Sequence, residues 1–239
     1  MAKVTLDQIG ELIAQSKSGR ITKAAFQRFL DTPTLAVVAS SAVIVPTTDF
    51  DRWKKLYLDN FGIDVDVTAI VIPPRPAEGK WRLIVVAAGL TVEAIFQKCR
   101  EKFGAWKYTS TDLDKAVPTN DRCPNRDGGY AIWVRDVIEA DEEFKNISAD
   151  DITAKKIKAV TLRERLLHEI DYFDETGKHL DVINWTLCAG SRDSGGSVVR
   201  VGWSVDELNV YYYDTRLSDD KLRVREAVSN PLSLVTLVA

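Results

Sequence analysis

The stretch TLRERLLHEIDYF, residues 161–173, predicts the best-defined helix in the chain. Thr161 is followed three residues later by Glu164. This spacing is a capping box, in which each side chain accepts a hydrogen bond from a backbone N–H group that a helix start leaves unpaired. Apolar residues recur at helical spacing along one side, at positions 162, 166, 170 and 173. His168 lies nearly opposite them, beside Glu164 and Asp171.

Two interpretations of this polar side remain open. In the first it is a solvated face, on which His168 pairs with charged residues one turn away. In the second it is part of a metal or acid–base site of His168, Asp171, His179 and Asp181, because these residue types bind zinc or a similar ion. HEIDY (168–172) begins like the zincin motif H-E-x-x-H, but Tyr172 occupies the position of the second histidine. We favour the solvated face.

The chain beyond this helix predicts an antiparallel layer of hairpins. Three or four strands close the chain, at 182–188, 198–205 and 207–213, with 222–228 as the fourth candidate. The first half instead alternates strands with helices. Its strands are predicted at 35–45, 63–72 and 81–88, and its helices from Thr48 to Gly62 and from Thr91 to Gly104. A polar loop rich in proline and glycine follows at 109–129, and loops of that length often carry function.

These elements predict an α+β protein. We expect a mixed sheet with packed helices, a helical N-terminal extension at 1–33, a single domain at 34–239 and a C-terminal antiparallel hairpin layer. The extension is predicted from an apolar helical pattern that Pro33 ends.

Composition narrows the function classes. The chain of 239 residues has a net charge of −3, which argues against a nucleic-acid or membrane partner, because such proteins normally carry a basic excess. Three widely spaced cysteines do not form a disulfide framework and indicate a reducing compartment. We therefore expect a cytoplasmic protein. The sequence identifies no cofactor.

The run Asp193-Ser194-Gly195-Gly196 resembles the sequence around the nucleophile of chymotrypsin-like serine proteases. That family places its base histidine far upstream of the serine, whereas His168 and His179 both lie close before Ser194 in this chain. We interpret the run as a glycine-rich loop between two strands, in which Gly190, Gly195 and Gly196 supply positive φ angles.

Two further sites are conceivable in the same region. Backbone N–H groups of a glycine-rich turn can bind an anion, with Gly190, Ser191, Arg192 and Gly195 as the candidate residues. Cys188 is a candidate nucleophile, although a reactive thiol requires a cationic neighbour that lowers its pKa.

Aromatic residues on the last hairpins suggest an interface. Tyr211 and Tyr213 share one face of a strand, and we group them with Trp203 as candidate binding residues, with Trp185 nearby in the hairpins, because aromatic side chains are enriched at protein interfaces. Ordinary cross-strand packing is the competing interpretation.

Several short strings together resemble a family of predicted bacterial proteins from small-genome candidate lineages. They are GRITKAAFQRFLDTP (19–33), NDR (120–122), EAD (139–141), TLRERLLHE (161–169), GKHLD (177–181), TLCAGSR (186–192) and LRVRE (222–226). The resemblance implies a bacterial cytoplasmic protein and no particular activity or catalytic residue.

The sequence therefore favours an intracellular binding or assembly protein, with a protein partner or self-association, because no complete catalytic constellation is present. The alternative is a hydrolase-like or metal-dependent enzyme with a site around residues 168–192, with His168, His179, Cys188 and Ser194 as its candidate catalytic residues.

Overall fold

The computed structural model describes residues 47–67 and 70–229. The predicted extension at 1–33 and the predicted strand at 35–45 lie outside these ranges. The described residues combine helices with a three-stranded and a six-stranded sheet, so the predicted α+β class is confirmed. None of the helices in the described ranges has the length and hydropathy that a bilayer-spanning segment needs.

The α-helices in the described ranges are α1 (Thr47–Phe61), α2 (Val92–Phe103), α3 (Leu113–Ala116), α4 (Pro124–Asp127), α5 (Ala149–Ala154) and α6 (Leu162–Thr176). The strands are β1 (Trp81–Val86), β2 (Ala105–Lys107), β3 (Thr119–Asn120), β4 (Tyr130–Arg135), β5 (Trp185–Arg192), β6 (Val198–Ser204), β7 (Glu207–Tyr213), β8 (Leu222–Arg223) and β9 (Val228–Ser229).

The smaller sheet has the antiparallel order β1-β4-β9. Helix α1 is attached to β1 through polar groups of otherwise buried aromatic side chains. The indole N–H of Trp53 donates to the carbonyl of Leu83 across 2.9 Å, and the Tyr57 hydroxyl donates to the carbonyl of Val85 across 3.0 Å. Each aromatic ring therefore packs in the core while its polar atom remains hydrogen-bonded.

The strand predicted at 63–72 is wrong, although its alternation is right. Val65 and Val67 are buried and Asp64 is exposed, as a half-buried strand requires. The described residues of this stretch are nevertheless not in a strand. The backbone N–H of Ile70 donates to the carbonyl of Val67, which is a local hydrogen bond and not one between neighbouring strands.

The larger sheet has the order β2-β7-β6-β5-β3, with β8 also paired to β5. Strands β5, β6 and β7 are antiparallel neighbours, which confirms the predicted hairpin layer, while β2 runs parallel to β7. The strand predicted at 222–228 is not continuous: its first residues form β8, parallel to β5, and Val228 belongs to β9 of the smaller sheet. Strand β5 continues to Arg192, four residues beyond its predicted end at 188. The sheet's inner face, which includes Val201 and Val210, packs against α2 and α6. Its outer face is covered at β5 by the segment 147–159.

The stretch predicted as a loop at 109–129 is partly regular and closely packed. It contains α3, β3 and α4. Arg122, in the middle of this stretch, is buried and forms a two-point ion pair with Glu164 of α6, at 2.7 and 2.8 Å. Arg122 also donates to the carbonyl of Ala159.

Helix α6 begins and ends as its sequence predicts. The capping box of Thr161 and Glu164 is formed at its start, and Gly177 ends it in the left-handed conformation with φ of +66°. The prediction of a solvated polar side is wrong. Glu164, His168 and Asp171 are all buried, because β1, β5, β6 and α2 surround the helix.

The buried polar side of α6 is held by ion pairs to arginines. Asp181, which is fully buried, accepts hydrogen bonds from Arg165 of α6 at 2.9 Å and from Arg225 at 2.7 Å. Thr186 of β5 and the backbone N–H of Ala140 also donate to it. Burial alone would raise the pKa of the Asp181 carboxyl, but the charges of Arg225 and Arg165 hold it below its ordinary value.

We expect Asp181→Asn to lower the free energy of unfolding by about 3–5 kcal/mol, because it leaves two buried guanidinium groups without their shared counter-charge. Asp181 has φ of +53°, which asparagine also tolerates, so the substitution tests charge rather than backbone strain. Urea denaturation at neutral pH measures the loss.

Asp59→Asn is the matched control, because it removes the carboxylate of an exposed ion pair with Lys55. We expect its urea midpoint to be nearly unchanged. Equal losses in the two variants would contradict a special role for the buried carboxylate.

Candidate functional site

The run Asp193–Gly196 is a turn, as predicted. The Asp193 side chain accepts hydrogen bonds from the backbone N–H groups of Gly195 and Ser197, both at 2.8 Å, which is the usual role of aspartate in tight turns. Ser194 is exposed at its tip. Among the three glycines expected to need positive φ, only Gly196 has it, at +89°.

Gly190 was predicted to be glycine because of a positive φ angle, but the reason is lack of space. A methyl group at this position would lie 2.8 Å from the carbonyl oxygen of Ala159. Glycine is therefore required at 190 because β5 approaches the 159–161 backbone closely, and not because of a turn.

The candidate nucleophiles lack the groups that would activate them. Ser194 follows the C-terminal end of β5, whereas His179 precedes its N-terminal end, and a strand of this length separates them by roughly 25 Å. Cys188 lies in the middle of β5 and is fully buried. Burial raises the pKa of its thiol well above the ordinary value, despite the nearby Arg165. The thiol therefore stays protonated and is not activated as a nucleophile.

The four predicted metal ligands do not form a ligand set. Asp181 is bonded to Arg165 and Arg225, as described above. Asp171 pairs with Arg52 and Arg82, and His179 places its Nδ1 3.0 Å from Glu169. No group of three or more metal-ligating side chains with suitable geometry occurs in the described ranges.

His168, the remaining predicted ligand, is buried. Neither ring nitrogen has a hydrogen-bond partner among the described residues. Burial lowers the pKa of its imidazole well below the ordinary value of 6.5, and the positive charges of Arg225, Arg165, Arg82 and Arg52 lower it further. The ring is therefore neutral at physiological pH and unable to act as an acid there.

His179 lies in an aromatic stack on the inner side of the large sheet. Its ring is stacked against Trp203 and Phe173, and Phe103 contacts it edge-on. The contact with Glu169 orients the imidazole as a catalytic base would be oriented. The candidate nucleophiles Ser194 and Cys188 are nevertheless located elsewhere on β5, at the sites described above.

The predicted anion-binding residues are partly separated. The Ser191 hydroxyl bonds to Asn120 and accepts the backbone N–H of Leu162, so it serves the start of α6. Gly195 belongs to the exposed turn. Gly190 and Arg192 line a cleft of about 360 Å³ between β5, the segment after α5 and the chain at β3.

The predicted interface residues lie on two different faces. Tyr211 pairs with Arg200 and Trp203 pairs with Leu208 in the β6–β7 ladder. Because the faces of a strand alternate with period two, Trp203 lies on the inner face, whereas Tyr211 and Tyr213 lie on the outer face. Trp203 therefore does not belong to the same surface as the two tyrosines.

The outer face carries an aromatic group that the sequence pattern did not reveal. The Arg200 guanidinium lies over the rings of Trp185, Tyr211 and Tyr213, at 4.7, 5.6 and 4.8 Å from their centroids. Trp106 of the edge strand β2 packs on Tyr211 at 4.7 Å and is 42% exposed. We call Trp106, Trp185, Arg200, Tyr211 and Tyr213 the aromatic face.

Trp106 was missed, and the packing of Trp185 left only a weak signal in the sequence. Gly202 is one such signal, because the Trp185 ring occupies the space above it, 2.9 Å from where a Cβ would be. Trp106 belongs to a three-residue strand that pairs in parallel with the distant β7, and no local pattern indicates such pairing.

Comparison of the chain with models of protein families, with curated protein sequences and with solved structures gives no match.

The state of His168 predicts how stability depends on pH. In the unfolded chain its pKa is near 6.5, whereas in the folded protein it is far lower. The unfolded state therefore binds a proton that the folded state does not, so stability falls as the pH drops below about 6.5. We expect His168→Leu to reduce this slope by up to about 1.4 kcal/mol per pH unit.

Chemical denaturation of both proteins between pH 7.5 and pH 5 measures the effect. At pH 7.5 the variant should be about as stable as the wild type, because leucine replaces a ring whose polar atoms have no partner in the described structure. Identical pH slopes in the two proteins would show that His168 is protonated without cost.

Proposed function

We propose that this protein is a cytoplasmic protein-binding module and that the aromatic face is its docking surface. The observation that carries the proposal is the arrangement of Trp185, Tyr211 and Tyr213 around Arg200, with the partly exposed Trp106 packed on Tyr211 at the edge of the sheet. Tryptophan, tyrosine and arginine are the residue types that most often dominate binding energy at protein interfaces.

The state of Arg200 supports an acidic partner. Its Nε is buried and has no hydrogen-bond partner within the described part of the chain. Its positive charge is met there by aromatic rings rather than by a carboxylate. A partner carboxylate could form a charge-assisted hydrogen bond with this guanidinium, whose plane is already oriented by the rings.

The other residues of the aromatic face suggest which groups of the partner contact it. Trp106 and Tyr211 provide apolar surface at the edge of the sheet. We therefore infer a protein segment that carries a carboxylate next to apolar side chains. The net charge of −3 argues against a nucleic-acid partner, which would be repelled.

The enzyme alternative has less support. His168 and Cys188 are buried, and Ser194 is separated from either histidine by the length of β5 or by the core. The oriented pair of His179 and Glu169 is the strongest remaining element of a catalytic site. The stacking of His179 on Trp203 and Phe173 explains its position by packing alone, without a catalytic role.

The unpaired thiols are consistent with the proposed compartment. Cys99, Cys123 and Cys188 are free. Burial raises the pKa of the Cys99 thiol well above its ordinary value, so this thiol is protected from oxidation in a reducing environment.

The test compares protein capture by variants of the purified full chain. We expect Trp106→Ala and Arg200→Gln to weaken partner binding by about tenfold or more, because residues of these types act as hot spots. Quantitative mass spectrometry of captured proteins identifies a partner, and titration of that partner measures the affinity.

Tyr212→Ala is the matched control. Tyr212 is exposed and adjacent in sequence to Tyr211, but it pairs with Val199 and so belongs to the opposite face. A specific partner is retained by this variant and lost by the other two. Sedimentation velocity shows whether a second copy of the chain is that partner. A monomer whose captured proteins all survive Arg200→Gln would refute the proposal.

A further inference from the structure

The cleft beside β5 is lined by more positive than negative side chains. Its volume of about 360 Å³ lies within the usual range for small-molecule sites. Three cationic side chains line it, Lys156, Lys158 and Arg192, together with the carboxylate of Asp121. Ala189 and Gly190 of β5 form part of the wall, and Ile152 and Ile157 add apolar surface.

The arginine of this cleft is held in position by neutral groups. One guanidinium nitrogen of Arg192 donates to the carbonyls of Ala189 and Ser191, at 2.6 and 2.9 Å, and the other lies 3.4 Å from the Thr153 hydroxyl. The Asp121 carboxylate of the same cleft interacts with the charge of Arg192 at longer range, without a direct ion pair. Across residues 47–67 and 70–229, no carboxylate forms an ion pair with Arg192, Lys156 or Lys158.

The backbone at Lys156 is a second, independent observation. Its φ is +57°, a left-handed conformation that costs a residue with a Cβ about 1 kcal/mol and that glycine adopts freely. A lysine at such a position keeps its charge at the cleft at the expense of stability. Strained non-glycine residues of this kind concentrate at ligand sites.

The charge balance selects the class of ligand. Three cations and one carboxylate leave a net charge of about +2 in the cleft, which the two negative charges of a phosphate monoester would neutralise. A single carboxylate would neutralise only half of it. Asp121 can accept a hydrogen bond from a hydroxyl group, and the isoleucines can pack on the remaining carbon atoms.

We propose that this cleft binds a small phosphate monoester that carries hydroxyl groups. The phosphate lies between Arg192, Lys156 and Lys158, and the hydroxyl-bearing part lies toward Asp121. The site is separate from the aromatic face, so it does not depend on the proposed protein binding.

Isothermal titration calorimetry of the full chain at low ionic strength tests the proposal. The probes are ribose 5-phosphate, glycerol 3-phosphate and adenosine monophosphate, with inorganic phosphate and ribose as references. We expect at least one monoester to bind more tightly than inorganic phosphate, and ribose alone not to bind. Absence of saturable binding by all three monoesters up to about 10 mM would overturn the proposal. Inorganic phosphate binding as tightly as every monoester would overturn the assignment to monoesters.

Three substitutions locate the site. Arg192→Gln, Lys158→Gln and Lys156→Gly should each weaken binding about tenfold, because each removes a charged donor. Lys156→Gly should keep or raise the urea midpoint, because glycine relieves the strained backbone, so its loss of binding cannot result from misfolding.

Lys155→Gln is the matched control, because Lys155 is exposed, adjacent in sequence and not part of the cleft. Its affinity should stay within about twofold of the wild type. Equal weakening by Lys155→Gln and Lys156→Gly would show that general surface charge attracts the phosphate, and would overturn the site.

Discussion

The Asp181 carboxylate is the interaction on which the rest of the fold depends. It connects Arg165 of the central helix, Thr186 of β5, Arg225 near the C-terminal end of the described chain and the backbone at Ala140. Arg225 in turn donates to the carbonyls of Val137 and Ile138. Removing two arginines and a carboxylate from water is costly, and good geometry with complete hydrogen bonding is what makes it tolerable.

The same principle is repeated along α6. Glu164 is paired with Arg122 and Asp171 with Arg82, so carboxylates on separate turns each receive an arginine from a different part of the chain. A helix with an apolar surface all round could rotate or slide between its neighbours with little penalty. Here a shift by one residue would leave several buried charges unpaired, which fixes the helix in one register.

The limits of the sequence interpretation follow from this arrangement. The start and end of α6 were predictable because the capping box and Gly177 act locally. Its burial was not predictable, because charged residues such as Glu164 and Asp171 normally face solvent. They are buried here because they pair with Arg122 and Arg82, which lie 42 and 89 residues away in the sequence. The hairpin strands were predictable from alternation. Their faces were not, because the β6–β7 turn uses Val205 and Asp206, both at positive φ, where asparagine or glycine would have marked the register.

The distribution of unpaired charge separates structure from function in this molecule. The fully buried arginines of the core have carboxylate or carbonyl partners. Two carboxylates that the sequence offered as metal ligands, Asp171 and Asp181, are among the partners of buried arginines. Arg192 and Arg200 differ, because neither forms a direct ion pair with a carboxylate within the part of the chain that the structure describes. Arg192 has only a longer-range interaction with Asp121, and Arg200 has aromatic rings. Both residues are partly exposed, so a ligand from outside can reach them and supply the carboxylate or phosphate that the fold does not place against them.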